Sequence, residues 1–338
     1  MSHDILSDVL RCVRLRGAMF YYVSGGRSWV AEAPASRDIA AAVMPGSEHV
    51  MEYHVVTRGS CWGAIVGEQP VRLDAGDVVL FPHGDAHVLS SAPGMRAPAD
   101  VPGYFEQKAE QLPFMLRVDD EVKTELLSDE GETKLVCGFL GCDVRPFNPL
   151  VATLPRIMRF KAKDQDLTAQ LMLRAVVESK DKRPGGEAML ERMSEMMFVD
   201  AVRRYVETLP EDSRGWLAGL RDRFVGRALS LMHDAPARAW SVDELGREVG
   251  LSRSALHERF AEMIGQPPMQ YLASWRMQVG AGLLRDTNAT VASIAQDVGY
   301  ESEAAFAKAF KRLVGTPPAK WRVAATGRAQ PRRARQAS

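Results

Sequence analysis

The spacing of hydrophobic and polar positions changes twice along this chain. Ile5, Leu6, Val9, Leu10 and Val13 recur at three- and four-residue steps, which predicts a short opening helix. From Ala18 the pattern shifts to short β-prone runs parted by turn residues: AMFYYVSGG, SWVAEA, HVMEYHVVTRG, SCWGAIVG, QPVRLDAG, DVVLFPHG and AHVLSS. Several short strands at this spacing predict an all-β barrel or sandwich. Ser91 to Glu110, rich in Pro, Ala and Gly, predicts a long loop. Helical spacing returns at Leu167, Leu171, Val176 and Val177 and breaks at Arg183-Pro-Gly-Gly186. It resumes with Met189, Leu190, Met193, Met197 and Val199 as far as Leu209-Pro210. The crowded methionines predict an adaptable apolar surface. Glu211 to Arg214, polar and proline-flanked, reads as a linker.

Beyond the linker, Trp216, Leu217, Leu220, Phe224, Ala228, Leu229 and Met232 predict one helix, and then a pattern appears twice. The copies are SVDELGREVGLSRSALHERFAEMIGQPPMQYL and TVASIAQDVGYESEAAFAKAFKRLVGTPPAKWR. With Phe260 set on Phe310 they run at an offset of 50, so Leu256 falls on Phe306, Gly265 on Gly315, and Pro267 and Pro268 on Pro317 and Pro318. Upstream of the turn the offset is 49, pairing Val242 with Val291, Leu245 with Ile294 and Val249 with Val298. Each spacing has a physical reason. Ser241 and Thr290 are hydroxyl N-caps. Gly250 and Gly299 end the first helix of each copy, where a left-handed backbone suits glycine. Ser252 and Ser302 cap the second helices, which Gly265 or Gly315 and a Pro-Pro pair terminate. Two helices joined by a short glycine turn, the second with a polar outer face, make the motif that lays a recognition helix in the major groove. Gln270 to Arg285 predicts a rigid connecting helix ~24 Å long. Such a rod suits two recognition helices set one duplex turn, ~34 Å, apart.

At this point the C-terminal region resembles the DNA-binding domain of the AraC/XylS family of bacterial transcription regulators. The resemblance rests on WSVDELGREVGLSRSALHERF, YLASWRMQVGAGLL and VASIAQDVGYESEAAFAKAFKRLVGTPPAKWR. A second one lies upstream: Gly76 to His87 fits G-x5-P-x-G-x2-H and resembles the second motif of the cupin barrel. The first cupin motif is partial. Glu52 stands seven residues before Gly59, but the paired upstream histidines are missing, with Pro45 to Ser47 near their place. LVCGFLGCDVRPFNPLVATLPRIMRF resembles the segment after the barrel in cupin-containing members of the family. The implied fold is α+β with two domains, a cupin-like β-barrel followed by an all-α double helix-turn-helix domain. Boundaries are expected at 1–160 for the sensor, 161–212 for helical dimerisation and linker, 213–325 for DNA binding and 326–338 for a basic disordered tail.

Subtracting the core face of each recognition helix leaves candidate groove residues, and the resemblance carries the family's base contacts onto Ser254, His257, Glu258, Glu303, Ala304, Ala307 and Lys308 among them. Base contacts are expected from Arg253, Ser254, His257 and Glu258, and from Ser302, Glu303, Ala304, Ala307 and Lys308. Arg253 and Lys308 suit guanine O6 and N7, Glu258 suits cytosine N4, and an alanine suits the thymine methyl. Arg276, Lys311, Arg312, Lys320 and Arg322 are expected at phosphates. Glu52 and His54 share one strand face, because side chains alternate with period two. With His87 they are expected to line an effector pocket in a barrel without a metal, given the missing ligands.

Composition alters little of this. Among 338 residues the net charge is zero, with 46% hydrophobic and 25% charged residues, as in ordinary globular proteins. Residues 226–338 carry 16 Lys and Arg against 10 Asp and Glu, an excess that permits DNA binding without requiring it. No apolar run approaches a membrane span and no signal peptide opens the chain, so a cytoplasmic location is expected. Cys12, Cys61, Cys137 and Cys142 fit no zinc pattern and are expected as buried free thiols; Cys137 and Cys142, in CGFLGC, are also candidates for a redox pair. The function expected is transcription regulation, with promoter DNA, a small-molecule effector, RNA polymerase and a second copy as partners and no cofactor. The alternative is a metal-dependent cupin enzyme carrying a DNA-binding appendage. No phosphate loop, nucleophile elbow or acid–base pair marks a catalytic residue.

Overall fold

The structure, a computed structural model, describes residues 4–97, 114–118, 122–123, 132–161, 167–181 and 183–326. The tail beyond 326 and most of the loop expected at Ser91 to Glu110 lie outside them. In chain order the elements begin with α1 (Ile5–Cys12), β1 (Arg16–Gly25), β2 (Val30–Ala33), α2 (Ser36–Val43), β3 (His49–Arg58) and β4 (Ser60–Ile65). Next are β5 (Val71–Asp74), β6 (Asp77–Phe81), β7 (His87–Ser90), β8 (Phe114–Val118), β9 (Val122–Lys123), β10 (Thr133–Cys142) and β11 (Met158–Lys161). The helical remainder is α3 (Leu167–Asp181), α4 (Gly186–Thr208), α5 (Trp216–Arg221), α6 (Val225–Asp234), α7 (Val242–Val249) and α8 (Arg253–Ile264). Then come α9 (Pro268–Asp286), α10 (Val291–Asp297), α11 (Glu303–Val314) and α12 (Pro318–Thr326). No helix among the described residues is long and apolar enough to cross a membrane.

The chain forms two compact units, and neither is one continuous segment. The sheet-rich unit takes Arg14–Asp143 and Leu154–Thr208. Its strands form a seven-stranded sheet in the order β11-β6-β3-β10-β1-β8-β9 and a four-stranded sheet in the order β2-β7-β4-β5. Alternation places Tyr21, Val23, Val50, Val56, Val79, Phe81, Leu135, Cys137 and Phe139 of the first sheet in one core with Cys61, Ile65, Leu73 and Leu89 of the second. The opposite face of the larger sheet lies under α4, whose Leu190, Met193, Met197 and Phe198 are buried. Two features depart from the expectation. The sheets do not close into a barrel among the described residues, and β10, expected after the strands, pairs with both β3 and β1 at the centre of the larger sheet. The short helix α2, signalled only by Ile39 and Val43 four residues apart, was not foreseen.

The helical unit takes Leu209–Ser338 together with Met1–Val13 and Val144–Thr153. Gln278 of α9 ties the three pieces: its Nε2 donates to the Cys12 carbonyl at 3.0 Å and its Oε1 accepts from the Phe147 N–H at 2.9 Å. Val9 of α1 is fully buried in this unit. Behind it runs a hydrogen-bonded chain, in which Trp216 Nε1 donates to the Tyr271 hydroxyl at 2.8 Å and that hydroxyl meets His233 Nε2 at 2.8 Å. With the Trp216 N–H donating to it, the tyrosine hydroxyl is placed to donate in turn to His233 Nε2, and His233 Nδ1 lies 3.5 Å from Asp8. The helix expected from Trp216 to Met232 is two helices. Asp222 interrupts it and caps the second, accepting from the N–H groups of Phe224 and Val225.

Candidate functional site

Each helix-turn-helix copy is built by local chemistry. Ser241 caps α7 in a reciprocal capping box with Glu244, and Ser252, Thr290 and Ser302 each accept from the backbone three residues on. Gly250 ends α7 at φ 81°, and Gly299 follows α10 at φ 82°. Inside the first copy Leu245, Leu256 and Phe260 are fully buried, and Phe260 meets Tyr271 edge to face. In the second, Phe306 and Phe310 pack with Met277, Ile294 and Val298, and Trp321 closes the end against Phe310. The connector α9, starting at Pro268, touches α8, α10, α11 and α12, and its 19 residues make a rod of about 28 Å.

The candidate groove residues divide by exposure. Arg253, Ser254, His257 and Glu258 on α8 are exposed, as are Ser302, Ala304 and Lys308 at α11, while Glu303 and Ala307 are half-buried. Arg253 stands 3.6 Å from Asp243 in a surface ion pair. Lys311, Arg312 and Lys320 are exposed. Two of the residues expected at phosphates are used inside the fold instead. Arg322 is 2% exposed, its Nε donating to the Leu284 carbonyl at 3.0 Å and its Nη2 to the Ala289 carbonyl. It ties the end of α9 to the start of α10 and presents nothing to solvent. A signal for this lay in the repeat, since Arg322 aligns with Leu272, which is equally buried. Arg276 is half-buried and donates to the Pro236 and Arg238 carbonyls at 2.7 and 2.8 Å.

In the sheet-rich unit, the three residues expected in a pocket come together although they arise on different sheets. Glu52 and His54 point inward from β3, and His87 starts β7. All three are buried, and His54 Nε2 meets His87 Nε2 at 2.7 Å. His87 Nδ1 lies 2.9 Å from the Asp85 carbonyl, and Phe81 stacks on the same ring with centroids 3.8 Å apart. Ser36, delivered by α2, donates to Glu52 Oε1 at 3.3 Å, while Glu52 Oε2 lies 3.5 Å from His87 Nε2 without a hydrogen bond. That approach is not an ion pair. Burial pushes the Glu52 carboxyl up to about 8 and pulls His87 down to about 4, and burial with the neighbouring His87 holds His54 well below the usual histidine range. Beside the two rings lies a cavity of about 30 Å³ lined also by Tyr21, Trp29, Leu89 and Cys137. Sequence reasoning missed Tyr21, Trp29 and Ser36, because nothing in their local pattern names the far strand they face.

The expected redox pair does not form in this fold. Cys137 and Cys142 sit five residues apart on β10, facing opposite sides and ~16 Å apart, whereas a disulfide needs Cα atoms within ~7 Å. None of the four cysteines is in a disulfide. Burial raises Cys61 to about 12 and Cys12 to about 11, and burial with nearby Glu52 lifts Cys137 well above the usual range.

A sheet-rich cupin-type domain joined to paired helix-turn-helix motifs defines a two-domain regulator architecture. Comparison with known proteins gives the same division: residues 4–207 match the Cupin family and residues 245–324 the helix-turn-helix domain family. Over 322 residues the chain is 32% identical to an AraC-like transcription regulator of Streptomyces lividans, covering 94% of this chain and 98% of that one. It is 30% identical to an AraC-like regulator of Streptomyces antibioticus over the same share of each. Among solved structures, fatty-acid-bound ToxT from Vibrio cholerae matches 94% of this chain and 98% of its own at 14% identity and a TM-score of 0.35. The chain belongs to the AraC-like transcription regulators, with a cupin-type N-terminal domain.

Proposed function

We propose that this protein is a sequence-specific DNA-binding transcription regulator acting in the cytoplasm, whose sheet-rich unit receives the signal and whose paired recognition helices read a promoter. The observation that carries it is the repeated, capped helix pair, each second helix keeping a polar outer face: Arg253, Ser254, His257 and Glu258 in one, Ser302, Ala304 and Lys308 in the other. Lys311, Arg312 and Lys320 supply exposed cations for phosphates. An effector shifts promoter affinity only by preferring one arrangement of the protein over another, so its coupling energy is measurable from either ligand. Partners in this reading are double-stranded promoter DNA, a small-molecule effector, RNA polymerase and a second copy of the chain. The second copy suits α3 and α4, where Leu167, Val177, Met189 and Met196 remain 42–47% exposed. The test is selection of fragments from the host genome on full-length protein, followed by titration against random DNA at several salt concentrations. A preference of at least ~10³ over random sequence is expected. Equal affinity for both would sink the reading, and a monomer by sedimentation at micromolar concentration would remove the dimer.

A further inference from the structure

We propose that Arg276 is a positioning residue for DNA recognition: it clamps the segment between α6 and α7 onto the turn of the second helix-turn-helix copy, and the clamp sets the spacing of promoter elements that the protein accepts. This rests on the reading of the paired helices as promoter readers. The rod α9 sets how far apart the two copies stand. Rotation about the rod's axis is a separate freedom, and holding it needs a second point of attachment away from that axis.

Arg276 supplies one. Its Nε donates to the Pro236 carbonyl at 2.7 Å and its Nη2 to the Arg238 carbonyl at 2.8 Å, while the guanidinium carbon lies 5.9 Å from the Tyr300 ring centroid. A planar fork can serve two carbonyls and still face an aromatic ring. Each side of this clamp leads to a recognition helix. On the first side, Trp240 Nε1 donates to the Ala235 carbonyl at 3.1 Å, and the Arg238 guanidinium lies 3.9 Å over the Trp240 ring. Ser241 then caps α7, which packs on α8. On the second side, Tyr300 meets Phe306 of α11 edge to face, with centroids 5.6 Å apart.

The backbone makes an independent contact at the same seam. A Cβ on Gly299 would lie 2.5 Å from the Ala237 carbonyl oxygen and 2.8 Å from its Cα, a backbone-to-backbone approach that only glycine allows. The turn of the second copy therefore rests directly on the segment that Arg276 holds. At Gly250, the matching turn of the first copy, a Cβ would meet nothing within 4 Å. The close approach belongs to the seam between the copies and not to the motif itself.

Two measurements on full-length protein test the clamp. Without DNA, spin labels on azido side chains replacing His257 and Lys308, which spare the four cysteines, should give one narrow distance distribution. Arg276→Met, which keeps the stem and loses both donors, should widen it at least twofold. With DNA, the selected fragment bound most tightly is compared with versions carrying one base pair more or fewer between the two segments that the helices protect. One base pair moves the second segment by ~3.4 Å and turns it by ~35°. The wild type should lose affinity by about 100-fold at either altered spacing, and Arg276→Met by tenfold or less. Circular dichroism reports folding, and Arg276→Lys, which keeps the charge without the fork, carries both measurements if Arg276→Met unfolds. An unchanged distance distribution, or a 100-fold spacing penalty kept by the folded variant, would reduce Arg276 to a stabilising contact and overturn the proposal. So would a uniform loss at all three spacings with a salt slope lower by about one, the mark of a phosphate contact. A wild type that does not prefer selected over random DNA would sink the promoter reading and the spacing role with it, whereas the label distances judge the clamp alone.

Discussion

Arg259 of α8 holds Asp222 by two nitrogens, with Nη2 2.5 Å from Oδ2 and Nε 3.1 Å from the same oxygen, while Asp222 caps α6 with Oδ1. One carboxylate thus starts a supporting helix and fixes the first recognition helix against it. Burial alone would raise this carboxyl; the Arg259 hydrogen bonds and the two backbone N–H groups outweigh it and hold the pKa below the ordinary value. A depressed folded pKa contributes stability that is present above the unfolded value, ~3.9, and is lost as pH falls through the folded one. Asp222→Ala should therefore cost about 1–2 kcal/mol at neutral pH by urea unfolding, and the gap to wild type should close below pH ~4. A gap that persists unchanged into acid would assign the loss to packing.

Gly250 and Gly299 occupy matching turns with nearly equal φ, yet they differ in their surroundings. A Cβ at Gly250 meets nothing within 4 Å, whereas one at Gly299 lies 2.5 Å from the Ala237 carbonyl oxygen. Gly250→Ala should cost only the left-handed penalty, ~1–2 kcal/mol, and Gly299→Ala distinctly more. Thermal melts of the two variants compare them directly, and equal losses would refute the steric account.

Lys308 and Arg322 are both cations of the second repeat, but one is exposed and the other is buried. Lys308→Ala should leave the melting temperature unchanged and weaken binding to selected DNA by about 1–3 kcal/mol more than binding to random DNA. Arg322→Ala strands two carbonyls and should destabilise the second repeat by ~2–4 kcal/mol before any effect on DNA is considered. A stable Arg322→Ala with a reduced salt slope would restore it to the phosphate group.

The thiols should be inert in the native state. With Cys61, Cys12 and Cys137 all raised, the thiolate fraction at pH 8 is small, and burial blocks access to every thiol but Cys12, which is half-buried where a buried one was expected. Ellman's reagent should find fewer than one thiol in the first minutes and all four after denaturation. Rapid native labelling at Cys137 would show that its cavity opens on that timescale.

Removing the Tyr271 hydroxyl should be felt in two places. Tyr271→Phe leaves the buried Trp216 N–H and His233 Nε2 without their shared partner, an expected loss of about 1–3 kcal/mol by chemical denaturation. A neutral outcome would mean that water replaces the hydroxyl.

The helix-turn-helix pairs were legible in the sequence because what builds them is local. Ser241, Ser252, Thr290 and Ser302 cap the helices that begin beside them, and Gly250 and Gly265 end them within a turn. The early strands were legible for the same reason, since period-two alternation is written into each run. What needed the tertiary structure depends on partners far along the chain. Nothing in CGFLGC says that β10 lies between β3 and β1, or that its two cysteines face apart. Nothing near Cys12 or Phe147 says that both segments join the helical unit through Gln278. His54 and His87 were singled out by type and spacing, but their 2.7 Å approach is set by two sheets packing on one core. Local spacing determines which element forms and which face is apolar; only long-range packing decides what that face meets, because burial rewards any apolar partner and the fold selects one.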